Sequence, residues 1–261
     1  MSLNINKALL VLALAAPAAG AEPIRRARYV MGTVCEITAY TDTEAVTAAF
    51  AELERWDRIL SLYKEDSELS GLNRAAGKPV KVSPDLWAAL EAGLKYAQES
   101  GGAFDPTILP VLRGGSKDLV DYRKVDMNPF SRTVRMPEGM GITLDGIGKG
   151  IALDRAAEVL RLRGVRAARL NHGGQIYALG APPAAEGWVI ELESGGSVML
   201  RDQSASTAGN SQQPGHIRSP FTGERILEDR SVTVVARTAT EADGRDTGLF
   251  VAGRRGLFIY P

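Results

Sequence analysis

From Asp145 to Asp154 the chain reads Asp-Gly-Ile-Gly-Lys-Gly-Ile-Ala-Leu-Asp, a turn with glycine at alternate positions that runs straight into a helical pattern. Glycines let backbone N–H groups approach a ligand closely, and a helix N-terminus directly behind them favours a bound anion. Ala152, Ala156, Val159 and Leu160 supply one apolar helical face, Gly164 ends it, and Asn171-His-Gly-Gly174 follows soon after. The pattern therefore predicts a strand-rich fold in which a phosphate-handling turn opens a helix. Two common phosphate motifs fail here. A P-loop needs Ser or Thr after its lysine, where Gly150 stands, and a dinucleotide fingerprint needs glycine or alanine where Ile151 stands. No acidic residue lies about 20 positions on in a strand-end context, which further weakens the nicotinamide reading.

The rest of the chain narrows the class. Its 261 residues suffice for one large domain, and 31 Lys and Arg balance 31 Asp and Glu, leaving no basic footprint for nucleic acid. Lys7, the apolar run Ala8–Ala16, Pro17 and the small residues up to Ala21 have the layout of a secretory signal peptide cleaved after Ala21. The run is shorter than the roughly 20 residues that span a bilayer. The expectation is an exported, periplasmic protein with no transmembrane segment, made of a leader (1–21) and a single domain (22–261). Cys35 is the only cysteine, so no internal disulfide forms, and no cysteine near the cleavage site supports a lipid anchor.

Periodicity predicts a strand over Val30–Tyr40, a helix over Glu44–Leu60, and a loop with at most a helical turn over Ser61–Asn73. Ser83-Pro84 caps a second helix that ends at Gly101-Gly102. Tyr122–Val125 and Arg132–Met136 read as short strands in a Gly-, Asp- and Arg-rich region, and a boundary between lobes fits near 113–140. Ala167–Leu170, Ile176–Leu179, Trp188–Leu192, Ser197–Leu200 and Ser231–Ala236 read as strands of a mostly antiparallel sheet. Thr240–Phe250 reads as a helix despite two glycines, and Leu257–Tyr260 as a closing strand.

Two further constellations carry chemistry. On a helix, Asp243 and Thr247 share one face at i and i+4, so a carboxylate and a hydroxyl converge on one hard cation such as Mg²⁺. Taken alone, the pair reads more readily as a solvated helix edge than as a cation site. His216, one of two histidines, is a candidate general base.

Taken together, the motifs resemble the ApbE family of FAD:protein FMN transferases. The resemblance runs from Met31-Gly-Thr33 through Ser61-Leu-Tyr63, Asp66-Ser-Glu-Leu-Ser70, Leu72-Asn73, Gly102-Ala-Phe-Asp-Pro-Thr107, Leu144–Gly150, Asn171–Gly174, Thr207-Ala-Gly209, His216-Ile217, Pro220–Gly223 and Ser231–Ala236 to Ala242-Asp243 and Thr247. It implies an α+β fold, two-lobed and related to the T-fold, with mixed or antiparallel sheets, flanking helices and a flavin cleft between the lobes. It implies Mg²⁺-dependent transfer of FMN from FAD onto a Thr or Ser hydroxyl of an exported or membrane electron-transfer protein, through a phosphoester bond and with release of AMP.

Carried over residue by residue, the resemblance assigns Asp243, Thr247 and the Gly148 carbonyl to the metal. Tyr63, Asn73, Asp105 and Thr207 fall to the flavin nucleotide, as do Asp145, bracing the turn, and Lys149, Gly173 and Gly174, against the pyrophosphate. His216 falls to activation of the acceptor hydroxyl, and Asp243 counts as catalytic as well as metal-binding. The chain departs from the family pattern where Gln175 and Ser219 replace aspartates, where Ile151 replaces a tyrosine, and where Leu112–Lys117 shortens a Trp-containing segment. The lost carboxylates leave two alternatives open: hydrolysis of FAD to FMN and AMP, or flavin binding without chemistry.

Overall fold

A computed structural model describes residues 22–193, 195–211 and 214–261; the leader at 1–21 lies outside the described residues. The chain starts with β1 (Ile24–Val30) and β2 (Thr33–Ala39), joined by Met31-Gly32. Both turn residues have positive φ (49° and 78°), the type I′ geometry that matches strand twist in a two-residue hairpin, which explains the Met-Gly-Thr motif. β1 is a strand that hydrophobic patterning misses, because its five central residues are exposed and three of them are arginine.

Helix α1 (Thr43–Leu60) follows, capped by Asp42. The segment expected as a loop contains α2 (Glu68–Arg74), because the Ser67 hydroxyl accepts from the Ser70 N–H and starts a helix too short for periodicity to reveal. Then come β3 (Val80–Lys81), α3 (Pro84–Glu99) and the single turn α4 (Leu109–Leu112). The strand expected over Tyr122–Val125 is instead a 3₁₀ turn over Tyr122–Lys124, because the Asp121 carboxylate captures the Arg123 N–H. β4 (Asp126–Asn128) and β5 (Thr133–Arg135) join β3 in a small sheet.

The second half contains α5 (Gly148–Leu162), β6 (Ala167–His172), β7 (Gln175–Gly180), the hairpin of β8 (Trp188–Glu191) and β9 (Ser197–Leu200), and β10 (Gln203–Gly209). β11 (Ser231–Ala236), α6 (Ala239–Val251) and β12 (Gly256–Ile259) complete it. The main sheet runs β1-β2-β6-β7-β10-β11-β12. It is antiparallel except for β11 with β12, the pair that α6 connects, as a parallel crossover requires. Strands from both halves of the chain thus share one sheet, while 113–140 holds the 3₁₀ turns and two of the small sheet's three strands. Among the described residues no helix is long and apolar enough to cross a membrane.

The largest core packs α1, α3 and α5 with β2 and β6 around Phe50, Leu53, Trp56, Leu86 and Leu90. Cys35 is buried in it, and that burial pushes its thiol up to about 12, so it behaves as a small apolar residue. The glycines of α6 are spacers: a Cβ on Gly244 would overlap the Tyr96 ring, and one on Gly248 would stand 3.0 Å from Ser100 Cβ. α3 and α6 therefore approach closely. β10, built of Gln, Ser, Ala, Thr and Gly, carries no strand-like sequence signal, yet it is central to the sheet and packs beneath α6.

Candidate active site

α5 and α6 meet at two points. Gly150, in the first turn of α5, leaves no room for a side chain, since a Cβ there would overlap the Ala239 carbonyl oxygen and stand 2.9 Å from Asp243 Cβ. Its N–H donates to Asp243 Oδ2 at 2.9 Å. One turn further along α5, Asp154 accepts from the Ala239 N–H (2.7 Å), the Thr240 N–H (2.9 Å) and the Thr240 hydroxyl (2.6 Å). It caps α6 from outside that helix, and Thr238 caps it from within. Gly150 and Asp154 stand at i and i+4 on one face of α5. The sequence motif is thus the device that aligns α6.

The turn before α5 lies across the same face of α6. A Cβ on Gly146 would come within 3.5 Å of Thr247 Oγ1, so the hydroxyl faces the glycine turn. Asp243, Thr247, Gly146, Gly148 and Lys149 all line one cleft of about 1420 Å³. Burial raises the Asp243 carboxyl above its ordinary value, against the Lys149 charge and the Gly150 N–H. Asp246, which sequence reasoning missed, lies on the same helix face, is buried and lines the same cleft. Burial, and then the neighbouring Asp243, push its carboxyl well above the usual range. Ser206 of β10 donates to Asp246 Oδ2 (2.7 Å), and the Thr247 hydroxyl donates to Oδ1 (3.1 Å). The available signal was spacing alone, an acid at i+3 from Asp243.

The other expected site residues divide. Tyr63 lines the outer cleft and is 90% exposed. His216 is exposed and lines the same cleft. Thr207 lines it with its hydroxyl 2.9 Å from that of Thr233 on β11. Asp145 is exposed on the lining, and its backbone carbonyl accepts from Lys149 Nζ at 3.3 Å. Gly173 and Gly174 also line the cleft. Their N–H groups are directed inward, to the Val34 carbonyl (3.2 Å) and to Asn171 Oδ1 (3.1 Å), so neither N–H is available to a pyrophosphate. Asp105 is buried at the lining, accepting from the Thr107 N–H and hydroxyl and the Tyr122 N–H, so it organises loops rather than meeting solvent. Asn73 is not part of the lining: its amide pairs with both backbone groups of Ile142, at 2.8 and 2.7 Å.

The departures acquire roles. Gln175 Nε2 donates to the Ala239 carbonyl at 2.9 Å, a bond that a carboxylate has no hydrogen to make, and it ties β7 to the first turn of α6. Ser219 accepts from the Phe221 and Thr222 N–H groups, both at 3.3 Å, and so holds the turn after His216. Ile151 is buried in the main core. His172, beneath the Gly173-Gly174 turn, is fully buried with Nε2 3.1 Å from the Val30 carbonyl oxygen, and burial lowers its pKa to about 4.

A family model described as the ApbE family matches residues 31–258. The chain belongs to the ApbE family. Among its curated relatives, the FAD:protein FMN transferase of Treponema pallidum is 29% identical over 87% of this chain and 78% of its own length. That of Haemophilus influenzae is 26% identical over 94% and 85%. A crystal structure of the ApbE protein of Thermotoga maritima superposes with a TM-score of 0.81 at 24% identity, covering 89% and 87% of the two chains. The flavin transferase ApbE of Vibrio cholerae gives 0.78 at 24%, covering 88% and 87%. These structures share the fold, an α+β arrangement with an ApbE-type sheet and flanking helices.

Proposed function

We propose that this ApbE protein is an exported, Mg²⁺-dependent flavin transferase that moves FMN from FAD onto a Thr or Ser hydroxyl of an electron-transfer protein outside the cytoplasm. The observation that carries this reading is the junction of α5 and α6. There the glycine turn and the α6 face bearing Asp243 and Thr247, nearly a hundred residues apart in sequence, meet in one cleft. Membership of the family and the names of the relatives supply the reaction class.

The donor set suits a small hard cation: the Asp243 carboxylate, the Thr247 hydroxyl and the Gly148 carbonyl are all oxygen ligands. Bound there, Mg²⁺ supplies a Lewis acid that neutralises charge on the FAD pyrophosphate. Lys149 adds a second positive charge beside the same turn. The acceptor hydroxyl oxygen bonds to the flavin-side phosphorus, the bridging P–O bond breaks, and its electron pair leaves with AMP. His216, at the open side of the cleft, takes the hydroxyl proton. Tyr63 offers a ring at the outer wall for packing against the flavin. The lead segment at 1–21 delivers the enzyme to the compartment of its acceptor.

The test is incubation with FAD, Mg²⁺ and a partner fragment bearing an acceptor threonine, followed by denaturing electrophoresis. Flavin fluorescence on the fragment is the expected result. FMN and AMP without label indicate hydrolysis, and FAD recovered intact indicates a binding protein; either outcome overturns transfer.

A further inference from the structure

Away from the cleft, the small sheet of β3, β4 and β5 packs Val80, Met127 and Val134 against the main core and turns its other face to solvent. The turn from β4 to β5, Pro129-Phe130-Ser131-Arg132, carries a phenylalanine that is 100% exposed. Single apolar side chains are common on protein surfaces. This one differs in its support and in its neighbours. Asn128 Oδ1 accepts from the Phe130 N–H (3.0 Å) and the Ser131 N–H (3.2 Å), and the Val82 N–H donates to the Arg132 carbonyl (2.9 Å). The ring is therefore held out in water on a braced tip. Lys81 stands opposite Thr133, and Arg135 follows Thr133 by two positions, so both project from the solvent face just behind the tip, with Arg132 in the turn itself. All three cations are exposed, and none forms a salt bridge among the described residues. The only acid in the three strands is Asp126, opposite Arg135.

An aromatic tip backed by cations complements an anionic lipid surface: the ring reaches the acyl boundary while the cations stay level with the phosphates. A protein partner would need about 800 Å² of matching surface, which one convex tip does not offer. We propose that the β4–β5 tip is a peripheral membrane contact, with Phe130 entering the interface of an anionic bilayer and Lys81, Arg132 and Arg135 meeting its phosphates. Such a protein lies on a membrane without crossing it. No residue of the three strands or of the tip lines the cleft, so the contact leaves the candidate active site open and stands apart from the transfer reading.

The experiment uses the chain from Glu22 onward, which contains all three apolar cores, and measures sedimentation with vesicles. Vesicles of equal parts phosphatidylglycerol and phosphatidylcholine should carry the protein down, and phosphatidylcholine alone should not. Phe130→Ser is expected to lower the lipid partition coefficient at least about ten-fold, and Lys81→Gln or Arg135→Gln about five-fold each. Melting temperatures should stay unchanged, because these side chains are exposed. Phe130→Trp should keep the binding, and its emission should move to the blue on the anionic vesicles. Undiminished binding in Phe130→Ser overturns the proposal. So does sedimentation of Phe130→Trp without an emission shift, which places the contact elsewhere on the molecule. Equal binding to both kinds of vesicle removes the role of the cations, and no sedimentation with either rejects a lipid partner in favour of a soluble one.

Discussion

At the inner end of the cleft Asp243 and Asp246 are buried and, with the half-buried Asp154 behind them, each takes a hydrogen bond from a different element: α5, β10 and α6 respectively. At the outer end, Tyr63 and His216 stand exposed on connecting segments shaped by short-range bonds, such as the Tyr63 N–H to Ser61 Oγ and the Gly215 N–H to Asn210 Oδ1. The inner end is held by bonds between packed elements, which would suit charge stabilisation on a pyrophosphate, where positioning supplies most of the rate. The outer end is open to solvent, as the proposed transfer to a loop of another protein would require. Under the proposed function, the contrast would separate the chemistry, held by packed helices, from the choice of acceptor, left to the rim.

Changes at the inner end should therefore cost most. Asp243→Ala is expected to reduce flavin labelling of an acceptor by at least about 10²-fold, while circular dichroism shows the fold retained. Normal labelling would dissolve the distinction between the two ends. Gly150→Ala forces a methyl group into the Ala239 carbonyl and is expected to lower stability by about 3 kcal/mol, the upper range for overpacking, read from urea melts. A wild-type melt would mean that α5 and α6 are not packed as described. Asp154→Ala removes the external cap of α6 and should cost about 2 kcal/mol, together with weakened Mg²⁺ binding in calorimetry, because α6 carries two of the proposed ligands.

Acidity sharpens the comparison further. A buried carboxyl whose folded pKa is raised binds its proton more tightly when folded, so its contribution to stability is complete below the unfolded value and is lost as pH rises. The metal-free protein should lose stability relative to Asp246→Asn as pH rises above about 4, by at most about 1.4 kcal/mol per pH unit. Adding Mg²⁺ should flatten that difference. His172 acts in the opposite sense, since its folded pKa of about 4 makes the fold lose stability as pH falls through the window below 6.5. Comparing variants at each pH cancels its effect. The smallest change is expected at the rim, where Tyr63→Ala should alter stability by less than about 0.5 kcal/mol and raise the KM for FAD several-fold in steady-state assays.

The sequence made legible what repeats or punctuates. α1, α3, α5, β11 and α6 follow from apolar spacing and capping residues, and the junction of α5 with α6 follows from glycines and acids placed at helical intervals. β1 and β10 escaped because an exposed edge strand and a strand of small residues under a helix show no hydrophobic alternation. In the candidate site, Asp243 and Thr247 were singled out through the resemblance, with helical spacing as support. Asp246 was hidden because an acid inside a helix ordinarily reads as solvated, and only tertiary packing reveals that it is buried. Asn73 illustrates the converse: it belongs to a motif, yet its amide braces the Ile142 backbone. A motif marks residues that matter to a fold family without saying whether they touch a ligand or hold the wall that does.

The most direct test is a crystal of the protein with Mn²⁺ and FAD, examined by anomalous scattering. The expected result is a single strong peak in coordination contact with the Asp243 carboxylate and the Thr247 hydroxyl, with the pyrophosphate against the turn from Asp145 to Gly150. A peak elsewhere in the cleft, or FAD seated with its pyrophosphate away from α5, would contradict the account.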